Sequence, residues 1–490
     1  MAHTHLTRTA RDAFASARDY SRALANPTIR LGVTGLSRSG KTVFITSLVR
    51  NLIAGGRLPF FSPLAEGRII SAYLEPQPDD HIPRFDYERH LAALTSTPPD
   101  WPNSTTQISQ LRLTIDYEPL GYARRIFGQK SLHLDIVDYP GEWLLDLSLL
   151  GKSFEDWSRE SIKLARLSDR LDHVRPWLSF LDGLDARTDI SEDVIAQGAQ
   201  LFRAYLKEAR SDPHGFSTLP PGRFLMPGDL EGSPMLTFFP LDGDGEQSDP
   251  TSPYAVELKR RYNAYVSHIV KPFYRDHFSR LDRQIVLVDA LGALNAGPLA
   301  LSDLEHALSS VLGSFNQGKN NFLSSIFRPR IDRILFASTK ADHVHHSDHE
   351  RLTGLLQLLT ERASSRAQYS GASVKVMTMA AVRATEEAMA SEGGHDLPTL
   401  IGTPLEGEHL GDKIFDGHEQ AAIFPGDLPA DPTLALQHGR TQALDGREFD
   451  MRFIRFRPPS AAGGNSNVRQ VFPHIRMDHA LEFLIGDRFS

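Results

Sequence analysis

Short apolar runs and helical patterns alternate over the first 140 residues of the chain. The apolar runs have strand length and lie between turn residues, and the second of them places Leu111, Leu113 and Ile115 on one face. A helical pattern over residues 42–53 ends at Gly55. The proline-rich stretch 58–104 predicts mostly loop. The strands predicted in this part of the chain are residues 29–33, 108–117 and 131–137.

The pattern becomes mainly helical between residues 142 and 283. Leucine and valine recur every three or four positions from Leu164 to Leu181, as on one face of an amphipathic helix that is interrupted near Pro176. Further helical patterns cover residues 194–206 and 254–281, with proline- and glycine-rich loops between them. We interpret this part of the chain as a helical insertion.

Strand and helix patterns alternate again from residue 284. This alternation predicts a parallel sheet with helices on both faces. The strands predicted here are residues 285–288, 331–338 and 374–378, and the helices are residues 301–315 and 348–367. The last hundred residues contain many turn signals and a closing helix over residues 477–485.

Composition excludes several classes of function. A chain of 490 residues can form two to four domains. The formal net charge of −8 argues against nucleic acid as the main ligand, because phosphate binding requires a basic surface. The chain has no cysteine, which excludes disulfides and thiolate metal sites. Because no apolar stretch approaches the ~20 residues that span a bilayer, we expect a cytoplasmic protein; a peripheral location at the inner membrane stays open.

A phosphate-binding motif follows the first predicted strand. The sequence Gly35-Leu-Ser-Arg-Ser-Gly-Lys41-Thr42 matches G-x-x-x-x-G-K-[ST], the Walker A pattern or P-loop. Its N–H groups would point at a phosphate, Lys41 would neutralise β- and γ-phosphate oxygens, and the Thr42 hydroxyl would ligate Mg²⁺. A glycine-rich turn with an exposed lysine is the alternative. The nucleotide-binding residues predicted here are Gly35, Ser37, Arg38, Ser39, Gly40, Lys41, Thr42 and Val43.

A D-x-x-G motif ends the strand predicted at residues 131–137. Asp138 at the carboxyl end of this strand would hold Mg²⁺ through a water molecule, beside the P-loop. Gly141 can turn its N–H towards a γ-phosphate, because glycine tolerates unusual backbone angles. On its own, D-x-x-G would mark a turn; its position after an apolar strand and downstream of the P-loop favours the nucleotide interpretation.

A third motif follows the strand predicted at residues 331–338. In Thr339-Lys340-Ala-Asp342, the Asp342 carboxylate can accept both N1–H and N2–H₂ of guanine, while the stem of Lys340 lies across the base. Adenine offers no such pair of donors. The motif therefore favours guanine over adenine, although a helix N-cap would use the same residue types.

The order of these motifs resembles translation-factor-like and Ras-like GTPases, and L-D-I-V-D-Y-P-G-E is similar to their second-switch sequence. Thr105 resembles the first-switch threonine of G-protein α subunits, with Thr106 as the alternative ligand of Mg²⁺ and γ-phosphate. Glu142 stands where Ras-like enzymes have a water-orienting glutamine. The segment after the last predicted strand resembles the fifth motif, which adds Ala381 and Val382 to the candidate base contacts.

The whole chain resembles the YcjX-like stress-protein family of bacterial GTPases. The resemblance rests on the stretch from Leu31 to Phe44, on Asp135-Ile-Val-Asp-Tyr-Pro-Gly-Glu-Trp, on Ile285-Val-Leu-Val-Asp and on Thr339-Lys-Ala-Asp-His-Val. It implies a G domain with a helical insertion, a cytoplasmic, stress-linked role and an unidentified protein partner. Association of that partner with a membrane stays open.

Three departures from the GTPase patterns predict slow unassisted hydrolysis. Thr339 replaces an asparagine, Glu142 replaces the glutamine, and Pro102 stands where α subunits have a catalytic arginine. The predicted catalytic residues are Lys41, Thr105, Gly141 and Glu142; the predicted Mg²⁺ ligands are Thr42, Thr105 and Asp138.

We therefore predict an α/β P-loop NTPase fold of the G-domain type, with a mostly parallel sheet built from residues 28–141 and 284–385. An N-terminal helical arm (1–27), the helical insertion (142–283) and a C-terminal α+β region (386–490) complete the chain. The predicted function is a switch that binds GTP or GDP with Mg²⁺ and hydrolyses GTP slowly in a bacterial stress response. A P-loop ATPase and a nucleotide-bound scaffold without turnover are the alternatives.

Histidines crowd the sequence directly after Asp342. A metal site is conceivable there, but the sequence shows no carboxylate-rich third ligand nearby, so a solvated loop beside the base is the favoured interpretation. The four residues are His343, His345, His346 and His349.

Overall fold

A seven-stranded sheet forms the centre of the computed structural model. Its strand order is β2-β3-β4-β1-β5-β6-β7. The pairs β2–β3 and β3–β4 are antiparallel, and the pairs from β4 to β7 are parallel. The strands are β1 (Thr28–Gly35), β2 (Ile69–Glu75), β3 (Ser109–Tyr117), β4 (Lys130–Asp138), β5 (Arg283–Val288), β6 (Arg333–Ser338) and β7 (Ser373–Thr378). The predicted α/β fold with a mostly parallel sheet is confirmed.

The structure describes residues 27–36, 38–103, 107–121, 128–166, 171–185, 188–211, 220–241, 249–313, 331–392, 395–434, 453–460 and 470–490. Nearly all of the predicted N-terminal arm lies outside these ranges. Strand β2 falls in the stretch predicted as mostly loop; it is an edge strand without a fully buried residue, so it lacks a clear apolar pattern. None of the helices within the described ranges is long and apolar enough to cross a membrane.

Helices cover both faces of the sheet. They are α1 (Lys41–Ala54), α2 (Ser62–Ala65), α3 (Tyr87–Thr95), α4 (Gly141–Asp146), α5 (Phe154–Ala165), α6 (Leu171–Asp182), α7 (Glu192–Ser211), α8 (Pro253–Tyr265), α9 (Lys271–Asp276), α10 (Ala290–Ala296), α11 (Pro298–Gly313), α12 (His349–Tyr369) and α13 (Met477–Ile485). The apolar stripe around Pro176 divides into α5 and α6, and Pro176 itself lies inside α6.

One face of the sheet is covered by α1 and α13. Leu48 of α1 and Leu481 of α13 belong to the same buried cluster as Leu31 of β1 and Leu335 of β6. The closing helix of the chain therefore lies against the central sheet. The rest of the C-terminal part forms a three-stranded sheet and a two-stranded one, built from β8 (Glu386–Glu392), β9 (His395–Gly402), β10 (His409–Leu410), β11 (Lys413–Ile414) and β12 (Ala421–Ile423).

The opposite face shares its core with the insertion. Val286 and Phe336 of the sheet belong to one buried cluster with the aromatic residues of α5 to α8, among them Trp157 and Tyr262, whose rings stack 5.1 Å apart. An aromatic core of this size favours a fixed packing, because each ring buries about 150–250 Å².

The short helix α4 is joined to the insertion by polar contacts. The Asp146 carboxylate accepts hydrogen bonds from the main-chain N–H groups of Gly222 (2.7 Å) and Arg223 (3.3 Å). The Arg223 guanidinium lies 3.2 Å from the centre of the Trp143 ring. A Cβ on Gly222 would lie 1.7 Å from the main-chain oxygen of Glu142, so only glycine fits here. The helix that follows the D-x-x-G motif is thus fastened to residues 222–224.

Burial raises the pKa of Asp146 to about 6, against the opposing effect of the two N–H donors. This folded-state pKa lies above the unfolded value of 3.8, so the protonated carboxyl is favoured in the folded state. The protonated Asp146 carboxyl therefore contributes about 3 kcal/mol to the free energy of unfolding below pH ~4. This contribution is lost as the pH rises through about 6.

We expect the unfolding free energy of the wild type to fall, relative to Asp146→Asn, by up to about 3 kcal/mol between pH 4 and pH 7. Urea unfolding at several pH values measures this difference. The control is Asp193→Asn, at an exposed position of α7, which should run parallel to the wild type. Parallel curves for Asp146→Asn and the wild type would contradict the assignment.

Candidate functional site

The P-loop leaves β1 at the carboxyl edge of the parallel strands and is tightly curled. Gly35 has a φ of 149° and Gly40 a φ of 84°, and Arg38 between them has a φ of 63°. A Cβ on Gly35 would lie 2.3 Å from the main-chain oxygen of Leu287 in β5, which requires glycine there. The Lys41 Nζ donates to the main-chain oxygen of Gly35 at 2.8 Å. Loop and lysine thus form the closed cradle that precedes a helix N-terminus in phosphate sites.

The D-x-x-G segment lies directly against this cradle. Strand β4 runs parallel to β1 with Asp138 opposite Val33, so both chains leave the sheet at the same edge. A Cβ on Gly141 would lie 2.4 Å from the main-chain oxygen of Gly35, so any residue other than glycine at this position would clash with the P-loop backbone. Asp138 is fully buried at the end of β4. Glu142, also buried, is in the first turn of α4, where the helix dipole favours a carboxylate.

The motif Thr339-Lys340-Ala-Asp342, predicted to be the base-recognition motif, follows β6 at the same edge. Lys340 has a φ of 62°, and its ammonium group pairs with the carboxylate of Asp289, which directly follows β5. The Asp342 side chain is 4% exposed, and its Oδ2 accepts a hydrogen bond from the Ala384 N–H at 2.8 Å. Thr339 Oγ1 donates to the main-chain oxygen of Val288 at 3.3 Å, so the Thr339 side chain ties this loop to the end of β5.

Two buried histidines support the same loop. Burial lowers the pKa of His343 and of His349. The His349 Nε2 lies 3.0 Å from the main-chain oxygen of Ala341, to which a neutral ring with a proton on Nε2 donates. His349 thus holds the turn that presents Asp342.

The segment after β7 lines the cavity at the end that contains Asp342. Ser47 of α1 donates through Oγ to the Ala381 main-chain oxygen at 2.7 Å. Ala380 and Ile475 form an isolated antiparallel β-bridge. Val382 packs with Leu94 and Phe472 in a small buried cluster.

A cavity of about 380 Å³ joins the P-loop to the base-recognition motif. This is the size of a small-molecule site, and its position at the carboxyl edge of the strands is where α/β folds bind ligands. The predicted residues that line it are Arg38, Gly40, Lys41, Thr42, Val43, Glu142, Thr339, Lys340, Asp342, Ala381 and Val382. Gly35, Ser39, Asp138 and Gly141 are not among the lining residues, and Ser37, Thr105 and Thr106 lie outside the described residues.

Part of the cavity wall comes from residues that the motifs do not mark. Trp101 lies on one side, and Leu405 and Phe456 come from the C-terminal part of the chain. The Trp101 indole N–H donates to the Phe456 main-chain oxygen at 2.7 Å, and the Phe456 ring meets the His343 ring edge to face. Asp289, whose carboxylate pairs with Lys340, was also not among the predicted site residues. Its position directly after an apolar strand was the one signal that could have identified it.

Comparisons with known proteins agree on one family. A model of the YcjX-like family (DUF463) matches residues 29–489. The chain is 39% identical over 475 residues to a protein from Escherichia coli (strain K12) named "Ras-like GTPase YcjX", covering 94% of this chain and 96% of that one. It is 37% identical over 488 residues to a protein of the same name from Shewanella oneidensis, covering 94% and 95% respectively.

Proposed function

The chain belongs to the YcjX-like family, and on that basis we propose that it binds GTP and GDP with Mg²⁺ and hydrolyses GTP slowly. The observation that carries the proposal is the cavity that joins a phosphate cradle to a buried carboxylate at the base end. The relatives named as Ras-like GTPases support the same activity.

Asp342 would select guanine. Each carboxylate oxygen has two lone pairs, so Oδ2 can accept from Ala384 and still accept from the base together with Oδ1. The ion pair with Asp289 holds Lys340 beside the base position. A P-loop ATPase would have no use for a buried aspartate here, which is why we favour GTP over ATP.

The phosphates would lie in the P-loop. Lys41 would neutralise the β- and γ-phosphate oxygens, and Gly141 would present its N–H to the γ-phosphate. Thr42 and Asp138 supply only oxygen ligands, the kind that Mg²⁺ prefers. Because Asp138 is buried and is not among the residues that line the cavity, its contact with Mg²⁺ would pass through water. When bound, Mg²⁺ would neutralise charge that develops on the phosphates.

Glu142 is the residue that we assign to orienting the attacking water. It lines the cavity and is 5% exposed, close to the P-loop because Gly141 packs against that loop. Thr105 completes the proposed catalytic set. Pro102 also lines the cavity at the position where α subunits have arginine, and such an arginine contributes about 10³–10⁵ to the rate. Slow intrinsic turnover follows.

The insertion would communicate the nucleotide state. A γ-phosphate that draws Gly141 towards it would shift α4, and α4 is fastened to Gly222 and Arg223 through Asp146. We propose that the chain acts in this way as a cytoplasmic switch in a bacterial stress response, and that a protein partner recognises the state of the insertion.

In competition against fluorescent GDP, unlabelled GDP should outcompete ADP by about a hundredfold or more, because only guanine pairs with Asp342. Asp342→Asn should shift the preference to xanthosine diphosphate, since an amide can donate to the extra carbonyl. The exposed Asp412→Asn is the control and should keep the guanine preference. Equal displacement of the wild-type ligand by ADP and GDP would favour the ATPase alternative.

Lys41→Ala should lose tight nucleotide binding and turnover together. Glu142→Ala should retain GTP affinity and lose turnover by about a hundredfold, because general-base residues contribute that much or more. Phosphate release under single-turnover conditions measures the rate of hydrolysis, which we expect to be well below about 1 s⁻¹ in the wild type. Competition against fluorescent GDP measures the affinity. Glu208→Ala, on the exposed face of α7, is the matched control. Wild-type turnover in Glu142→Ala would remove Glu142 from this role.

A non-hydrolysable GTP analogue should change amide hydrogen exchange in residues 143–181 and 220–226, relative to GDP. The reason is the set of contacts between α4 and the residues around Gly222. The same comparison in Lys41→Ala, which should not bind either nucleotide tightly, is the control. Identical protection with the two nucleotides would make the insertion a rigid docking module.

A further inference from the structure

Two histidines that follow the base-recognition motif meet a glutamate from β8. His346 Nδ1 lies 2.7 Å from Glu387 Oε2, and His345 Nε2 lies 3.8 Å from the same oxygen. The three ligand atoms lie within 4.8 Å of one another, and within the described ranges no other group of three or more His, Cys, Asp and Glu side chains meets that criterion. The third ligand that the sequence did not reveal is therefore supplied by the fold.

These separations suit a tetrahedral cation. With metal–ligand distances of about 2.0–2.2 Å, neighbouring ligand atoms of a tetrahedral site lie about 3.4 Å apart. The two distances to Glu387 Oε2 lie on either side of this value. Ligation by one cation would require the His346 Nδ1–Glu387 Oε2 separation to widen and the His345 Nε2–Glu387 Oε2 separation to shorten, each by less than about 1 Å.

The surrounding residues fix the orientation of two of the ligands. His345 Nδ1 lies 2.9 Å from Ser347 Oγ and accepts a hydrogen bond from the Ser347 main-chain N–H at 3.4 Å, which fixes the ring with Nε2 facing Glu387. A cation would replace the proton on Nε2. Arg383 Nη2 lies 3.9 Å from the other oxygen of Glu387, so Oε2 is the one turned to the histidines. His346 is two-thirds exposed, which gives a cation access from solvent.

We propose that His345, His346 and Glu387 form a site for a divalent transition metal of the Zn²⁺ class, with water in the fourth position. Two imidazoles and one carboxylate are ligands that Zn²⁺ prefers, whereas Mg²⁺ prefers oxygen alone. The site is separate from the Mg²⁺ position proposed at Thr42.

A metal here would fasten the base-recognition loop to β8. The two segments already meet next to the site, because Asp342 accepts hydrogen bonds from Ala384 and Thr385, just before Glu387 in the chain. The bound cation would add three strong bonds to this junction and restrict opening of the loop that carries Asp342.

The test is a titration of the full chain, prepared without a polyhistidine tag, with zinc chloride against a chromophoric chelator. The wild type should bind one equivalent of Zn²⁺. Glu387→Gln and His346→Ala should each lower the affinity for Zn²⁺ by about tenfold or more. Glu387→Gln preserves shape and can still accept from His346, so it separates ligand loss from misfolding. His268→Ala, an exposed histidine of the insertion, should retain the wild-type affinity.

Two outcomes would overturn the proposal. One is the absence of a saturable equivalent in the wild type, and the other is unchanged Zn²⁺ affinity in Glu387→Gln, which would assign the binding to other histidines. Hydrogen exchange gives a second measurement. One equivalent of Zn²⁺ should slow exchange in residues 341–349 and 384–388 of the wild type, and neither Mg²⁺ nor the Glu387→Gln variant should reproduce this effect.

Discussion

The close approach of Gly141 to the backbone of Gly35 is the contact on which the rest of the site depends. An added Cβ would lie 2.4 Å from the Gly35 oxygen, and one on Gly35 itself would lie 2.3 Å from the Leu287 oxygen. Both contacts exist because β4, β1 and β5 are parallel neighbours whose carboxyl ends meet at one edge. The cavity, the position of Glu142 and the direction of α4 all follow from this packing.

The end of the cavity near Asp342 is held by polar contacts between buried groups. Lys340 pairs with Asp289, and Asp342 accepts a hydrogen bond from Ala384, so the loop is supported by contacts to β5 and to the segment before β8. Groups fixed in this way lose little conformational entropy when a ligand binds. The C-terminal part of the chain adds Phe456 to the same wall, and the last helix packs on the sheet. The site is therefore assembled from segments far apart in sequence.

The insertion is joined through α4 to the edge of the sheet that carries the P-loop. Asp146 bonds to Gly222 and Arg223, and the packed aromatic core continues from the sheet into α5 to α8. Packed cores of this kind change between discrete arrangements, since close-packed side chains allow little continuous deformation. A shift of α4 would have to carry the neighbouring insertion residues with it or break these contacts.

The sequence by itself determined the fold class and the phosphate and base motifs, because these depend on local spacing: a strand, a glycine turn and a helix for Gly35 to Thr42, and a strand end for Asp342. The tertiary structure alone decided which distant residues join them. Strand β2 is an exposed edge with little pattern, Trp101 and Phe456 meet across a sequence separation of 355 residues, and Glu387 of β8 meets His345 and His346. Such contacts leave no local pattern in the chain, since they arise from the packing of whole elements and not from the spacing of neighbouring residues.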